Sequence, residues 1–444
     1  MDVTSNDGLA IASRLSQMIQ CETVSYNDLE KIDFKRFDDF KALLSELYPE
    51  IHKICEHSFH GRTGILYRWA GKSKQEVTVL MSHYDVVPCN ASLWTKPPFS
   101  GEIEDGYVWG RGTLDTKGTL CGIMEAAEAL IREGYSPEND IYFSFSGDEE
   151  ISGPSAPAIV KYLKAAGIKP ALVLDEGGAI VENVFPGVSK PVAVIGTGEK
   201  GYLDLRMVME GKGGHASAPP AHSLVGSLAK AVVKLEEKPF KAYLTPPVLE
   251  MFKTLGRHST LSYRVIFANL WFFMPLLKVL FTKQGGEMNA LIRTTTAITK
   301  MEGSKAYNVL PPYAEIGMNL RLMPNDTVAS AKKYVEDTIG NPDIKVEVVE
   351  SREASPISPT GSKGWHQVGE AIHETWENVI VSPYLMLAAS DSRHFCEISD
   401  HVLRFSAMPL SKEERGLIHG NDERIKIENL VSTVRFYKNL IGKL

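Results

Sequence analysis

The chain has 444 residues, long enough for about two to three ordinary domains and a substantial buried core. With 43% hydrophobic and 23% charged residues, wholesale disorder, collagen-like repeats and a coiled-coil rod are excluded. The 48 Lys and Arg against 55 Asp and Glu leave a net charge of −7, which argues against a dedicated nucleic-acid binder.

Read from the start, MDVTSNDGLAIASRLSQMIQ has no basic segment followed by an apolar one, so it does not read as a signal peptide, and a cytoplasmic location is expected. Cys21, Cys55, Cys89, Cys121 and Cys396 are scattered, odd in number and without CxxC spacing. They indicate neither a disulfide framework nor a thiolate zinc site, and they fit a reducing compartment.

Over 77–175, short β-rich runs alternate with helical patterns. VTVLMSH, DIYFSFSG and ALVLDEGG read as strands, while TKGTLCGIMEAAEALIREG and SAPAIVKYLKAAG carry apolar residues at helical spacing and close on Gly134 and Gly167. This alternation predicts an α/β fold with a mostly parallel sheet. Ligands in such sheets sit outside the carboxyl ends of the strands, so the residues just beyond these strands are the first candidates.

Beyond Gly198 the texture changes. A half-exposed strand pattern, GYLDLRMVMEGKG, precedes a helix over 223–237; an apolar insertion comes next, then AEIGMNLRLMP, a helix over 327–339 and KVEVVE. Strand, helix, strand, strand, helix, strand is the order of a ferredoxin-like α+β unit. Inside the insertion, near 245–290, the stretch 265–281 (VIFANLWFFMPLLKVLF) is interrupted by Asn269, Pro275 and Lys278. A membrane span needs about 20 apolar residues, so a buried or interfacial helix pair is expected here and not a span. EASPISPTGSKG marks a boundary before helices over 365–376 and 428–440. The predicted organisation is a catalytic domain formed by 1–199 and 353–444, split by a lid over 200–352.

Chemistry-bearing residues fall at the predicted strand ends. In MSHYDVVP, His83 and Asp85 at i and i+2 point to one side, so an imidazole can face a metal while a carboxylate orients it; taken alone, the pair is a weak signal and an ordinary surface histidine is the favoured reading. Asp115 in GRGTLDTKGT precedes a helix and suits an N-cap, although its two oxygens can also bridge two cations. Asp148, Glu149 and Glu150 in SFSGDEEISG form either a solvated acidic loop or a metal ligand paired with a general base, and order alone does not assign the two glutamates. Asp175 ends ALVLD as a turn initiator or a further ligand, and His419 in GLIHGNDERI precedes the last helix. Together they form a nitrogen and oxygen donor set without Cys, suited to zinc or a harder divalent ion in a hydrolytic site.

SHYDVVP, WTKPPFSGEIEDGYVWGRGTLDTKG, GDEEISG, LDEGG, GKGGHASAP and IHGNDE, in this order over nearly the whole chain, resemble the aminoacylase, carboxypeptidase S and glutamate carboxypeptidase family of co-catalytic dizinc hydrolases. The resemblance implies a zinc-hydrolase catalytic domain with a lid that also serves dimerisation. It further implies that Asp115 bridges two zinc ions, with His83 and Asp175 completing one site and Glu150 and His419 the other. Asp85 would orient His83, and Glu149 would act as general base. His215 in GKGGHASAP would stabilise the oxyanion, often from the other subunit of a homodimer, and Asn308 and Arg321 would bind substrate. AASDSRHF, over 388–395, is similar to the corresponding loop of the carboxypeptidase S branch and implies Ser392 and Arg393 in the substrate pocket.

The apolar insertion is also typical of that branch, whose animal relatives act on N-fatty-acyl amino acids; it reads either as a greasy wall for an acyl chain or as lid core or dimer contact. The expectation is a zinc-dependent hydrolase that releases a free amino acid from an N-acyl amino acid or short peptide, with synthesis as the reverse reaction. A metal-binding but inactive scaffold is the alternative, against which all five implied ligands and Glu149 are present.

Overall fold

In the computed structural model, which describes residues 5–444, two sheets organise the chain. It first lays down β1 (Glu56–His60), β2 (Gly64–Trp69), β3 (Ser73–His83), β4 (Asn139–Ser146), β5 (Leu172–Val181) and β6 (Val192–Glu199). It then forms β7 (Gly201–Glu210), β8 (Thr295–Glu302), β9 (Tyr313–Leu322) and β10 (Lys345–Arg352), and finally β11 (Ile380–Met386) and β12 (Val402–Pro409).

The central sheet runs β1-β2-β4-β3-β5-β12-β6-β11. Its middle, β4-β3-β5-β12, is parallel, and β6 and β11 pair in parallel at one edge. Both faces are covered, as parallel sheets require, and the pleat sorts the side chains. Leu80, Ile141, Phe143, Leu172 and Leu174 face a core shared with helices Ser5–Gln20, Lys117–Arg132, Lys363–Thr375 and Ile427–Ile441. Val77, Val79, Met81, Tyr142 and Val173 face the helix Ser155–Ala165 on the other side. β3 and β4 deliver their carboxyl ends, His83 and Ser146, side by side.

The second sheet, β8-β9-β7-β10, is antiparallel throughout. With helices Leu224–Glu237 and Val328–Ile339 it forms the ferredoxin-like unit, closed over Leu205, Met207, Leu228, Ile316, Met318 and Val335. Ser223 caps the first helix by accepting from the Gly226 N–H, and Thr327 and Ser330 form a reciprocal capping box on the second.

The apolar insertion breaks into three main helices, Pro246–His258, Leu261–Ala268 and Leu270–Gln284, followed by the short helix Gly286–Ala290. They do not join the core of the ferredoxin-like sheet. Val248, Met251, Phe252, Phe267, Leu277 and Phe281 pack instead with Val192, Val194, Ile380 and Leu385 of β6 and β11, at the edge of the central sheet.

A fully buried ion pair joins neighbouring strands of the central sheet: Arg404 of β12 donates from Nε to Glu199 at the end of β6. Glu199 also accepts from the Ser392 hydroxyl at 3.1 Å and the Ser390 N–H at 3.3 Å, so the loop 388–395 hangs on this carboxylate. Removing one partner of a buried pair leaves the other charge stranded, which typically costs about 3–5 kcal/mol. Glu199→Ala is therefore expected to lower the stability measured by chemical denaturation by about that amount, with the loss traced to a charge left inside a dry sheet.

Candidate metal centre

His83 ends β3 and is buried. Its Nδ1 lies 3.0 Å from the Asp85 carbonyl oxygen and 3.4 Å from Asp85 Oδ1, which turns Nε2 toward Asp115 Oδ1 at 2.9 Å. The second oxygen of Asp115 faces the other histidine, with Oδ2 2.9 Å from His419 Nε2. His419 Nε2 in turn lies 3.2 Å from Glu150 Oε1. One carboxylate thus presents an oxygen to each of two imidazoles, drawn from positions 83 and 419.

Two buried acids hold this geometry. Glu423 accepts from the N–H groups of Gly112 (3.1 Å), Leu114 (2.8 Å) and Asp115 (3.2 Å) and from Arg111 Nη1 (2.6 Å), pinning the loop that carries Asp115. Asp85 accepts from the N–H groups of Glu149 and Glu150, each at 3.1 Å, and from the Ser25 hydroxyl at 2.6 Å. The turn bearing the two glutamates is thereby tied to the end of β3.

The structure differs from the sequence reading at Asp175. β5 does not end there but runs on to Val181, and its register against β12 jumps from Asp175 to Gly178. Glu176 and Gly177 form the bulge. Gly177 has φ +141°, and a Cβ there would sit 2.9 Å from that of Arg404, so glycine is required. Successive side chains on a strand point to opposite sides. Asp175 turns toward the 388–395 loop and accepts from the Ser392 N–H at 2.9 Å, while Glu176 Oε1 comes within 3.3 Å of His83 Nε2. His83, Asp115 and Glu176 form one group of candidate ligands and Asp115, Glu150 and His419 a second, the ligand atoms of each within 4.8 Å of one another. Asp175 stands outside both and braces the loop.

The electrostatics are those of crowded acids that are buried or half-buried. Burial raises the Glu149 carboxyl well above its ordinary value, pushes Glu176 up to about 8 and Asp391 to about 7, and raises Glu150 and Asp175. Asp115 is depressed in spite of its burial by hydrogen bonds to His419 and His83. His419 is pushed up to about 10 by Asp115 and Glu150, and in His83 the pull of Glu176 and Asp115 overcomes burial and raises it well above its usual range. So many buried carboxylates call for more cationic charge than the imidazoles and Arg393 bring. Imidazole nitrogen and carboxylate oxygen without thiolate is a donor set suited to zinc.

Glu149 lies beside the cluster, its Oε1 3.9 Å from Arg393 Nη1. Arg393 also approaches Asp391 Oδ1 at 3.7 Å, and Asp391 accepts from the Ser146 hydroxyl at 2.5 Å. The predicted lid residues stand elsewhere. His215, on a short ribbon paired with Val309, is exposed and bonded to the Ser217 hydroxyl at 2.8 Å, and the Asn308 carbonyl accepts from the Ala216 N–H on the same ribbon. Arg321 on β9 lies 4.8 Å over the Tyr202 ring, with Arg352 5.1 Å from the same ring. Among the described residues, none of these lid groups touches the histidine and carboxylate cluster. Glu176, Glu423, Asp391 and the Glu199–Arg404 pair stand in or around the cluster without having been singled out from the sequence; a period-two reading of DEGG offers the Glu176 face, while nothing local in the sequence marks the other three.

The profile of peptidase family M20/M25/M40 matches residues 79–443. The chain is 36% identical over 450 residues to a probable carboxypeptidase S-like protein of Dictyostelium discoideum, covering 99% of this chain and 86% of that one. It is 35% identical over 437 residues to an N-fatty-acyl-amino acid synthase/hydrolase of Xenopus tropicalis, covering 97% and 85%. Its fold is that of an M20 family metallo-carboxypeptidase from Sulfolobus solfataricus, with TM-score 0.70 at 17% identity over 97% of this chain and 98% of that one.

The alternation at Asp175 and Glu176 is open to direct test. Metal analysis after exhaustive dialysis is expected to show Glu176→Ala reduced from about two divalent ions per chain to about one, with Asp175→Ala keeping both. The reverse pattern would return the ligand role to Asp175.

Proposed function

The chain belongs to peptidase family M20/M25/M40 and is a hydrolase, and from that premise we propose that it cleaves the amide bond next to a free C-terminal amino acid, its substrate an N-acyl amino acid or short peptide. The observation that carries this reading is the position of Asp115, one oxygen toward each histidine, with the Glu149 carboxyl within electrostatic reach of His83, Glu176 and Glu150. We assign 1–199 with 353–444 to catalysis and 200–352 to the lid.

His83, Asp115 and Glu176 would hold one zinc ion, and Asp115, Glu150 and His419 a second. Bound there, zinc supplies Lewis acidity toward the scissile carbonyl and lowers the pKa of water. Glu149 is the group left to move protons. Its backbone is fixed by Asp85, and its carboxylate takes a proton from the attacking water and returns it to the leaving amine nitrogen. Asp85 acts through His83, accepting at Nδ1 so that Nε2 faces Asp115.

Arg393 is the cation beside Glu149, and its planar fork suits the free carboxylate that distinguishes a C-terminal amino acid from an internal residue. Ser392, bonded to Asp175 and Glu199, fixes the loop from which Arg393 projects. His215 and Asn308 share a lid ribbon, where His215 would donate to the oxyanion and Asn308, with Arg321, would contact substrate. Because the ribbon stands off the cluster, these contacts require lid closure or delivery from a second copy in a lid-mediated homodimer. By microscopic reversibility the same groups would serve condensation of an amine with an acid.

The test is amino-acid release by the zinc-loaded protein from long-chain acyl, acetyl and dipeptide substrates that share one C-terminal residue. Release from at least one class is expected, with Glu149→Gln slower by about a hundredfold or more at unchanged metal content, as loss of a general base implies. An inactive wild type, or an equally active Glu149→Gln, would overturn the assignment.

A further inference from the structure

The helix Leu270–Gln284 is apolar on both sides. Leu270, Leu277 and Phe281 point inward and pack with Phe252 and Phe267 on the edge of the central sheet. The opposite side carries Phe272, Leu276 and Val279 at the i, i+4, i+7 spacing of a single helix face, all exposed, with Trp271 81% exposed and Leu280 beside them. Leu261, on the preceding helix, is 77% exposed. An outward face of this composition in a surface helix needs a covering partner.

Charge indicates which one. Although the chain carries −7 overall, the segment 246–284 holds Lys253, Arg257, Arg264, Lys278 and Lys283 against the single acid Glu250. Glu250 is engaged by the Thr360 hydroxyl at 2.9 Å, and among the described residues none of the five cations is in an ion pair. Three of them gather at one place: Lys253, Arg257 and Arg264 line a groove of about 580 Å³ together with Phe267, Leu270 and Trp271. Unpaired cations around an apolar floor, next to an exposed indole, match the boundary between anionic headgroups and acyl chains.

We propose that the insertion docks the enzyme on the surface of an anionic phospholipid bilayer, with Trp271, Phe272, Leu276 and Val279 seated at the headgroup boundary and the five cations facing lipid anions. The helices lie on the membrane and do not cross it. Leu270–Gln284 has 15 residues, about 22 Å of helix against a core of about 30 Å, and it meets Leu261–Ala268 at 108°. A second copy is a poor cover, because face-to-face contact would bring two sets of unpaired cations together.

Flotation of the 444-residue chain with vesicles of phosphatidylcholine alone, and of phosphatidylcholine mixed with phosphatidylserine, decides the matter. Wild type is expected to bind the phosphatidylserine vesicles at least about tenfold more tightly than the neutral ones, and less tightly as salt is raised. Trp271→Glu/Phe272→Glu and Lys253→Glu/Arg257→Glu/Arg264→Glu should each lose about tenfold or more while melting like wild type by circular dichroism. That fold control is independent of enzymatic activity, so the result stands apart from the proposed reaction. Absence of binding to phosphatidylserine vesicles, or unchanged binding by both variants, would overturn the proposal. So would a concentration-dependent dimer abolished by Trp271→Glu/Phe272→Glu, which would make the face a contact between copies.

Discussion

The carboxylate of Asp115 is the constraint on which the rest of the molecule depends. Its two oxygens are claimed by imidazoles from opposite ends of the chain, His83 at the end of β3 and His419 just before the last helix. An exposed aspartate is free to rotate and to be solvated; this one is held by its loop, and the loop by Glu423. Glu423 sits four residues beyond His419, so a single C-terminal segment supplies both the second histidine and the clamp on the first carboxylate. Folding the last helix back onto Lys117–Arg132 is therefore also the step that assembles the site.

A cluster of buried acids is unstable in isolation, and the surrounding fold reflects that. Asp85 is neutralised by two backbone N–H groups and a serine, Glu423 by three N–H groups and Arg111, Glu199 by Arg404. Each supporting acid thus has its own donors, while Asp115, Glu150 and Glu176 are left facing one another across two histidines. That division separates carboxylates that build the scaffold from those left to hold cations. It also explains why burial raises Glu150 and Glu176 while Asp115, bonded to both rings, moves the other way.

Much of this is legible in the sequence because strand ends in a parallel sheet are predictable places. His83, Asp115, Glu150 and His419 all stand just beyond an apolar run or just ahead of a helix, and the βαββαβ order of the lid is visible in its periodicity. The choice between Asp175 and Glu176 is not. Alternation along DEGG puts the two side chains on opposite sides, but which of them faces His83 is set by how β5 sits beside β3 and bulges against β12, partners distant in the chain. Likewise His215 and Asn308 both fall within the lid segment, but which surface their ribbon meets depends on how the lid sits, and local sequence does not encode that. Arg404 could not be anticipated at all, since an arginine amid VLRFSAMP reads as an exposed position until Glu199 is placed beside it.

The insertion shows the same limit from another direction. Hydrophobicity alone does not distinguish a lid core from an acyl-binding wall, because both ask only for apolar side chains. In three dimensions the helices spend one side on the apolar face that β6 and β11 present at the edge of the central sheet, and keep a second apolar side outward. A helix needed only to cover that edge would carry polar residues on its outer face, as the helix Val328–Ile339 of the lid does with Lys332, Lys333 and Glu336. The outward Phe272, Leu276 and Val279 are thus a feature that edge protection does not require, and the cations gathered around them are a second. A single function that needs both at once is contact with a surface apolar within and anionic without.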